Sequence, residues 1–255
     1  MNVFVHCLLW AGFPHLFGCW LGKIRSLIYQ KDMDIRDFLE GLGSEFKSLL
    51  FPVQCPGCGK WDTTLCDECW RFADADPFLD VFDDELGNPL VPVVALGKYG
   101  GPLRRVIVAA KHDLAADFNG FLYQCGCRLG EHIADDLNID SVLVVPAPSS
   151  WRRRMRFAEV TGHVAAGVAD AFGHMGVQAD IWRGFALKIG AGSQGNRGRE
   201  MRRKGRRNQI RLKRNLPPNV GVILVDDVMT TGATMHEMVQ ILGKQVIGIA
   251  VLARA

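Results

Sequence analysis

The chain has 255 residues, 48% of them hydrophobic. That leaves room for one large domain, or for a medium domain with small modules, around a sizeable core. Its net charge of +3 is small, so any polyanion surface must come from local excess. Such an excess exists between Trp151 and Asn215, where sixteen Lys or Arg face four acids, Glu159, Asp170, Asp180 and Glu200. Eight cysteines would suit a secreted disulfide scaffold, but four of them fall as Cys55-x2-Cys58 and Cys66-x2-Cys69. That is a metal spacing and points to a reducing cytoplasm. Cys7, Cys19, Cys125 and Cys127 read as buried small apolar side chains.

From the amino terminus, Val3 to Gly22 is almost continuously apolar. A membrane anchor is disfavoured, because no charged segment precedes the run, His6, Pro14 and His15 interrupt it, and its length is marginal. Membrane contact is therefore not expected. Residues 1–32 read as an apolar extension, either loosely docked or lying before a translation start at Met33. In residues 33–72, Ile35, Phe38, Leu39, Leu42, Phe46 and Leu49 recur at helical spacing over Asp34 to Leu50, and the cysteine module follows from Phe51 to Phe72. Residues 73–90 hold an acidic, irregular stretch that reads as a connector. The larger domain then occupies residues 91–255.

In that domain Val91 to Tyr99 reads as a strand, Pro102 to Lys111 and Phe118 to Ala134 as helices, and Ser141 to Val145 as a buried parallel strand. Phe157 to Phe172 is an expected helix and Gln209 to Leu212 a candidate short strand. Val220 to Val225 is the clearest buried strand of the chain. Ala233 to Leu242 reads as a helix and Gln245 to Leu252 as a closing strand. Strands alternating with helices imply an α/β domain with a mainly parallel sheet and helices on both faces. No internal repeat appears, and the one biased tract is the basic run Arg197 to Arg214.

The segment with the most chemistry is VILVDDVMTTGAT, Val222 to Thr234. It sets two carboxylates, Asp226 and Asp227, at the carboxyl end of a buried strand, where open α/β sheets bind ligands. A loop of small and hydroxylated residues then opens a helix. Free N–H groups of Thr230, Thr231, Gly232, Ala233 and Thr234 can surround a phosphate at the positive end of that helix. Gly232 permits close approach, and the threonine hydroxyls add donors. The plainer alternative, a strand end followed by a helix cap, leaves the simultaneous agreement of so many positions unexplained. In the cysteine module, four thiolates separated by a short loop can close a tetrahedral zinc site with no open position, a structural site. An iron–sulfur centre or two disulfides are the alternatives.

The Val222 to Thr234 segment resembles the phosphoribosyl-pyrophosphate signature of type I phosphoribosyltransferases. The resemblance implies that Asp226 and Asp227 hold the ribose hydroxyls and that Thr230 to Thr234 grip the 5′-phosphate. Joined to the cysteine knuckles, the chain from about Leu49 to Ala255 resembles the ComF family of competence-related proteins. The matching pieces include KYGGPLRRVIVAAKHD at Lys98 to Asp113, VVPAPSSWRRRMRF at Val144 to Phe157, the Gln194-containing basic stretch and the terminal VLARA. One segment departs from that family: Met155-Arg156-Phe157-Ala158 stands where an Arg-Gly-Phe-Asn is usual.

By resemblance, the fold is type I phosphoribosyltransferase-like with a small zinc-ribbon-like module. Arg152, Arg153 and Arg154 face the pyrophosphate, and Gln194 to Asn208 occupy the place of a loop that closes over substrate. Lys111 and His112 read as surface decoration near the site. The implied activity is a magnesium-dependent pentosyl (glycosyl) transfer, or a ligand-binding accessory role in DNA uptake. The rival is a single-stranded nucleic-acid-binding competence protein with a non-catalytic ligand site, using Arg152 to Arg156 and Arg197 to Arg214 on phosphates.

Overall fold

In a computed structural model of the protein, the described residues are 53–83, 89–113, 116–135, 137–148, 160–188 and 210–255. The expected helix over Asp34 to Leu50, the Arg152 to Arg154 turn, the Gln194 to Asn208 stretch and most of the basic run lie outside them. Residues Val53–Ala255 fall within one compact unit.

A short helix α1 (Asp67–Trp70) and a 3-10 turn (Arg71–Asp74) lead into β1 (Phe78–Asp83) and β2 (Pro89–Lys98). Helices α2 (Gly101–His112) and α3 (Asn119–Ala134) precede β3 (Ser141–Pro146). Then come α4 (Val160–His174), β4 (Gln178–Ile181), β5 (Phe185–Leu187) and β6 (Ile210–Leu212). The chain closes with β7 (Gly221–Met229), α5 (Ala233–Leu242) and β8 (Val246–Arg254).

The main sheet has six strands in the order β1-β2-β8-β7-β3-β4. Every neighbouring pair from β2 to β4 is parallel, and only the edge strand β1 runs antiparallel, to β2. β5 and β6 form a separate antiparallel pair. The expected mixed α/β class with a mostly parallel sheet is therefore present. Its cause is visible in β7, whose apolar run leaves neither face polar. Ile223 and Val225 pack into a cluster with Phe121 and Leu129 of α3 and Val164, Val168 and Phe172 of α4. Val222 and Leu224 join Met235, Met238 and Leu242 of α5 in the other cluster. Side chains alternate across a strand, so a continuous apolar run must be covered on both faces.

Helices α3 and α4 meet backbone to backbone. A Cβ on Gly126 would lie 2.1 Å from the Val164 carbonyl oxygen, and one on Gly167 would lie 2.0 Å from that of Tyr123. The crossing therefore admits no side chain at either position. On the same helix Cys125 is fully buried, as expected, and burial pushes its thiol well above the ordinary range.

Three differences from the sequence reading bear on the site or its surroundings. The acidic stretch expected as a connector carries β1, in which Phe82 is buried while Leu79 and Val81 are exposed. The period-2 pattern was masked by the surrounding acids and by apolar side chains on the open face of an edge strand. Second, β7 does not end at Val225 but runs to Met229, because β8 accompanies it to Arg254. Asp226 and Asp227 are thus held on a paired strand. β4 and β5 were not anticipated at all; β4 is largely exposed and β5 has three residues, so neither has a clear period.

Candidate functional site

At the carboxyl end of β7 a cavity of about 120 Å³ is lined by Asp226, by the loop and first turn Thr230 to Thr234, by Leu187 and Ile210 of the β5–β6 pair, and by Glu237. The loop turns into α5 through Gly232, which has φ 69° and is the helix N-cap; the His236 N–H bonds its carbonyl at 2.8 Å. Glycine is required there twice over. The left-handed backbone disfavours a side chain, and a Cβ would sit 2.5 Å from the Phe82 ring of β1. The structure thus brings five of the expected phosphate-loop residues together with Asp226 around one opening at a helix amino terminus. Such an opening combines unshared N–H groups with the positive end of the helix dipole.

The two acids are placed differently. The Asp226 carboxylate lines the cavity, and its Oδ1 accepts the Asp227 N–H at 2.8 Å. Asp227 Oδ1 instead accepts a hydrogen bond from Lys111 Nζ at 2.8 Å, with the two side chains only 13% and 17% exposed. Lys111, read from the sequence as decoration, therefore belongs to the site. It comes from the last turn of α2, and screening by water is weak at this burial.

Behind the loop lies Arg254, the last residue of β8. Its Nε donates to Asp80 Oδ2 of β1 at 2.8 Å, and its Nη1 donates to the Thr230 carbonyl at 2.8 Å and the Met229 carbonyl at 3.2 Å. The Val81 N–H and the Arg254 guanidinium hold the Asp80 carboxyl below its usual range, against a smaller opposing effect of burial. On the far side, the buried Glu237 accepts the Ile210 N–H at 2.7 Å and so ties α5 to β6.

The cysteine centre is built locally. The Sγ atoms of Cys55, Cys58, Cys66 and Cys69 all lie within 4.8 Å of one another, and those of Cys58 and Cys66 are 3.4 Å apart. The first knuckle is shaped by the Gly59 N–H bonding the Cys55 carbonyl and by the Cys55 N–H bonding the Lys60 carbonyl, each at 2.8 Å, with Gly59 at φ 83°. The second is the start of α1, where the Cys69 and Trp70 N–H groups bond the Cys66 carbonyl at 3.0 and 2.8 Å. Four thiolates bound at about 2.3 Å to a tetrahedral metal would stand roughly 3.8 Å apart. The observed cluster brackets that value, so the donor set fits a metal such as zinc.

Burial raises the Cys55 thiol, but N–H groups of Cys66, Cys58 and Gly57 outweigh it and bring it down to about 6. Burial and the neighbouring sulfurs push Cys69 up. A cluster in which one thiolate opposes the next is the electrostatic setting a divalent cation resolves. The centre rests on α2: Arg105 Nε donates to the Gly57 carbonyl at 2.9 Å, and its Nη2 reaches the same oxygen.

No family model and no curated relative matches the chain. Its likeness is to solved structures. One is described as the allosteric regulatory enzyme of purine biosynthesis, at TM-score 0.30 and 19% identity over 51% of this chain and 25% of that one. Another is a hypoxanthine-guanine phosphoribosyl transferase from L. donovani, at TM-score 0.31 and 14% identity over 53% of this chain and 71% of that one. The chain thus spans about a quarter of the length of the first.

Several residues of the site escaped the sequence reading. Glu237 carried a weak signal, an acid among the apolar positions Met235, Met238, Val239 and Leu242 of α5. Arg254 carried another, a cation closing the otherwise apolar strand VIGIAVLAR. Asp80 carried none, since acids surround it. Among the described residues, no helix is long and apolar enough to cross a membrane.

Proposed function

We propose that the cavity at the end of β7 binds phosphoribosyl pyrophosphate with magnesium, and that the protein is a ComF-like phosphoribosyltransferase carrying a structural zinc. The observation that supports this best is the joint lining of one cavity by Asp226 and by Thr230 to Thr234 at the amino terminus of α5. In this reading the loop N–H groups and threonine hydroxyls take the 5′-phosphate. Asp226 accepts from the ribose hydroxyls, and Asp227 is held beside it by Lys111.

Transfer breaks the bond from ribose C1 to the pyrophosphate oxygen, the electron pair leaving with pyrophosphate, while a nitrogen nucleophile forms the new bond to C1. Magnesium, when bound, supplies charge neutralisation on the departing pyrophosphate. An oxygen donor such as the Asp226 carboxylate is of the type it prefers. The protein's own part is positioning and electrostatic stabilisation, to which Arg152, Arg153 and Arg154 would contribute bidentate contacts.

Calorimetric titration of the full chain with phosphoribosyl pyrophosphate and magnesium tests the reading. Saturable binding that disappears in the Asp226→Ala, Asp227→Ala double variant is expected. Binding that survives the double substitution would overturn it. Zinc quantification should return one metal per chain.

The second reading, single-stranded nucleic acid as partner in DNA uptake, draws support from Arg211, Lys213 and Arg214. All three are exposed and form the end of the basic run, Arg211 within β6 and Lys213 and Arg214 just after it. It requires binding that falls steeply with salt, roughly one unit of slope per phosphate neutralised. That binding should be lost when Arg202, Arg203, Arg206 and Arg207 become Ala. Salt-independent or absent binding excludes it. A cytoplasmic site of action is part of the same proposal, because a four-thiolate metal site suits a reducing compartment.

A further inference from the structure

We propose that Arg254 is a positioning residue of the phosphate loop, acting through the peptide groups of Met229 and Thr230; this deepens, and rests on, the reading of the loop as a phosphate site. The argument begins with peptide geometry. A trans peptide is planar, and its C=O and N–H point in opposite directions. One guanidinium nitrogen, Arg254 Nη1, holds the carbonyls of Met229 at 3.2 Å and of Thr230 at 2.8 Å. The N–H groups in those two peptide planes belong to Thr230 and Thr231, both of which line the cavity. Fixing the carbonyls towards Arg254 therefore aims two successive N–H groups away from Arg254. The Thr230 and Thr231 N–H groups are thereby oriented before any ligand arrives, which lowers the ordering cost of binding.

The surroundings show that Arg254 is held for this task. Its Nε is tied to Asp80 of β1 at 2.8 Å. The Met229 carbonyl also accepts the Ala255 N–H at 3.0 Å, so the end of β8 grips the loop root by backbone as well as side chain. Two residues along β1 from Asp80, Phe82 lies against Gly232. Edge strand β1 is thus the wall on which the loop is braced, through a charge pair at one end and a ring at the other.

Asp80 also neutralises the guanidinium, which separates positioning from a second possibility, attraction of the ligand by the charge of Arg254. If charge were the mechanism, Asp80→Asn would unmask it and tighten binding. If positioning is the mechanism, Asp80→Asn loosens the guanidinium and weakens binding modestly.

The test uses the full chain and its Arg254→Met, Arg254→Lys and Asp80→Asn variants, titrated with phosphoribosyl pyrophosphate and magnesium. Affinity is read by calorimetry, amide shifts of Thr230, Thr231 and Thr234 by NMR, and folding by thermal melting. Arg254→Met should weaken binding about ten- to a hundredfold, the scale of one or two oriented hydrogen bonds to a charged ligand. Arg254→Lys should recover part of the loss. In Arg254→Met the ligand-induced shifts of the Thr230 and Thr231 amides should collapse while that of Thr234, inside α5, persists.

Wild-type affinity and amide shifts in Arg254→Met would overturn the proposal. So would a uniform loss at all three amides with a matching fall in melting temperature, which marks general destabilisation. Tighter binding by Asp80→Asn would also overturn it. Failure of the wild-type chain to bind is a failure of the functional reading and removes this inference with it. Binding by wild type with an indifferent Arg254→Met removes this inference alone.

Discussion

The cysteine centre and the β7–α5 site are built on opposite plans. The four cysteines lie between Cys55 and Cys69, and short backbone bonds within each knuckle bring their sulfurs together. The β7–α5 site draws Lys111 onto Asp227 across 116 residues, Arg254 onto Asp80 across 174, and Glu237 onto Ile210 across 27. A local site needs a ligand to supply its folding energy, whereas a non-local site takes its geometry from the finished sheet. The two should therefore fail differently.

The largest effect is expected at the cysteine centre. Structural zinc in small cysteine sites contributes an apparent binding free energy of about 10–16 kcal/mol at neutral pH. Chelation, or Cys69→Ser, should abolish metal binding and expose the amides of residues 55–70 to hydrogen exchange. The strands β3, β7 and β8 should keep their protection. If they lose it to the same degree, the contrast between a local and a non-local site fails.

Next comes the buried ion pair. Lys111→Met leaves the Asp227 carboxylate, only 13% exposed, without its cation. A cost of up to about 3 kcal/mol is expected, somewhat less than for a fully buried pair. Denaturant melts should show it, and Lys111→Met with Asp227→Asn together should cost less than the sum of the single changes. Strict additivity would mean the pair is not coupled in solution.

Gly232→Ala should cost about 1–3 kcal/mol, because it adds a left-handed alanine to a steric conflict with Phe82. Adding Phe82→Leu should relieve the steric part and leave the backbone part. Double-variant melts that show no relief would dispute the seating of the loop on β1.

The smallest effect concerns acid. The carboxyl of Asp80 is held below its ordinary value of 3.8 by the Val81 N–H and by Arg254. A depressed acid contributes stability that is complete above 3.8 and is lost as pH falls through the lower folded-state value. The Asp80 side chain is 40% exposed, so screening keeps the contribution small. Asp80→Asn should accordingly narrow its stability gap to wild type as pH falls below 3.8. A gap that widens on acidification would reverse the assignment.

These expectations also separate what could be read in advance from what could not. The β7 core, α5, the β8 core and the cysteine knuckles were legible, because each is announced within about fifteen residues by apolar runs or by ligand spacing. β1 was not, since its alternation is broken by Asp80, whose partner appears only when Arg254 comes alongside. The extent of β7 was misjudged for a related reason: the pairing of β8 out to Arg254, not the polarity of Asp226 and Asp227, decides where the strand stops. Lys111 was discounted because a cation at a helix end is ordinary until its partner is known.

By itself, then, the sequence determined the class of sheet, the glycine-containing loop after β7, and the grouping of four thiols, since periodicity, backbone freedom and ligand spacing are properties of neighbouring residues. Only the tertiary structure decided which charges meet. It set Asp226 in the cavity and Asp227 on Lys111, and it placed Arg254 and Phe82 behind the loop. The physical reason is that ion pairs and steric walls depend on distances of a few ångströms between residues more than a hundred positions apart, and those distances exist only once the strands have paired.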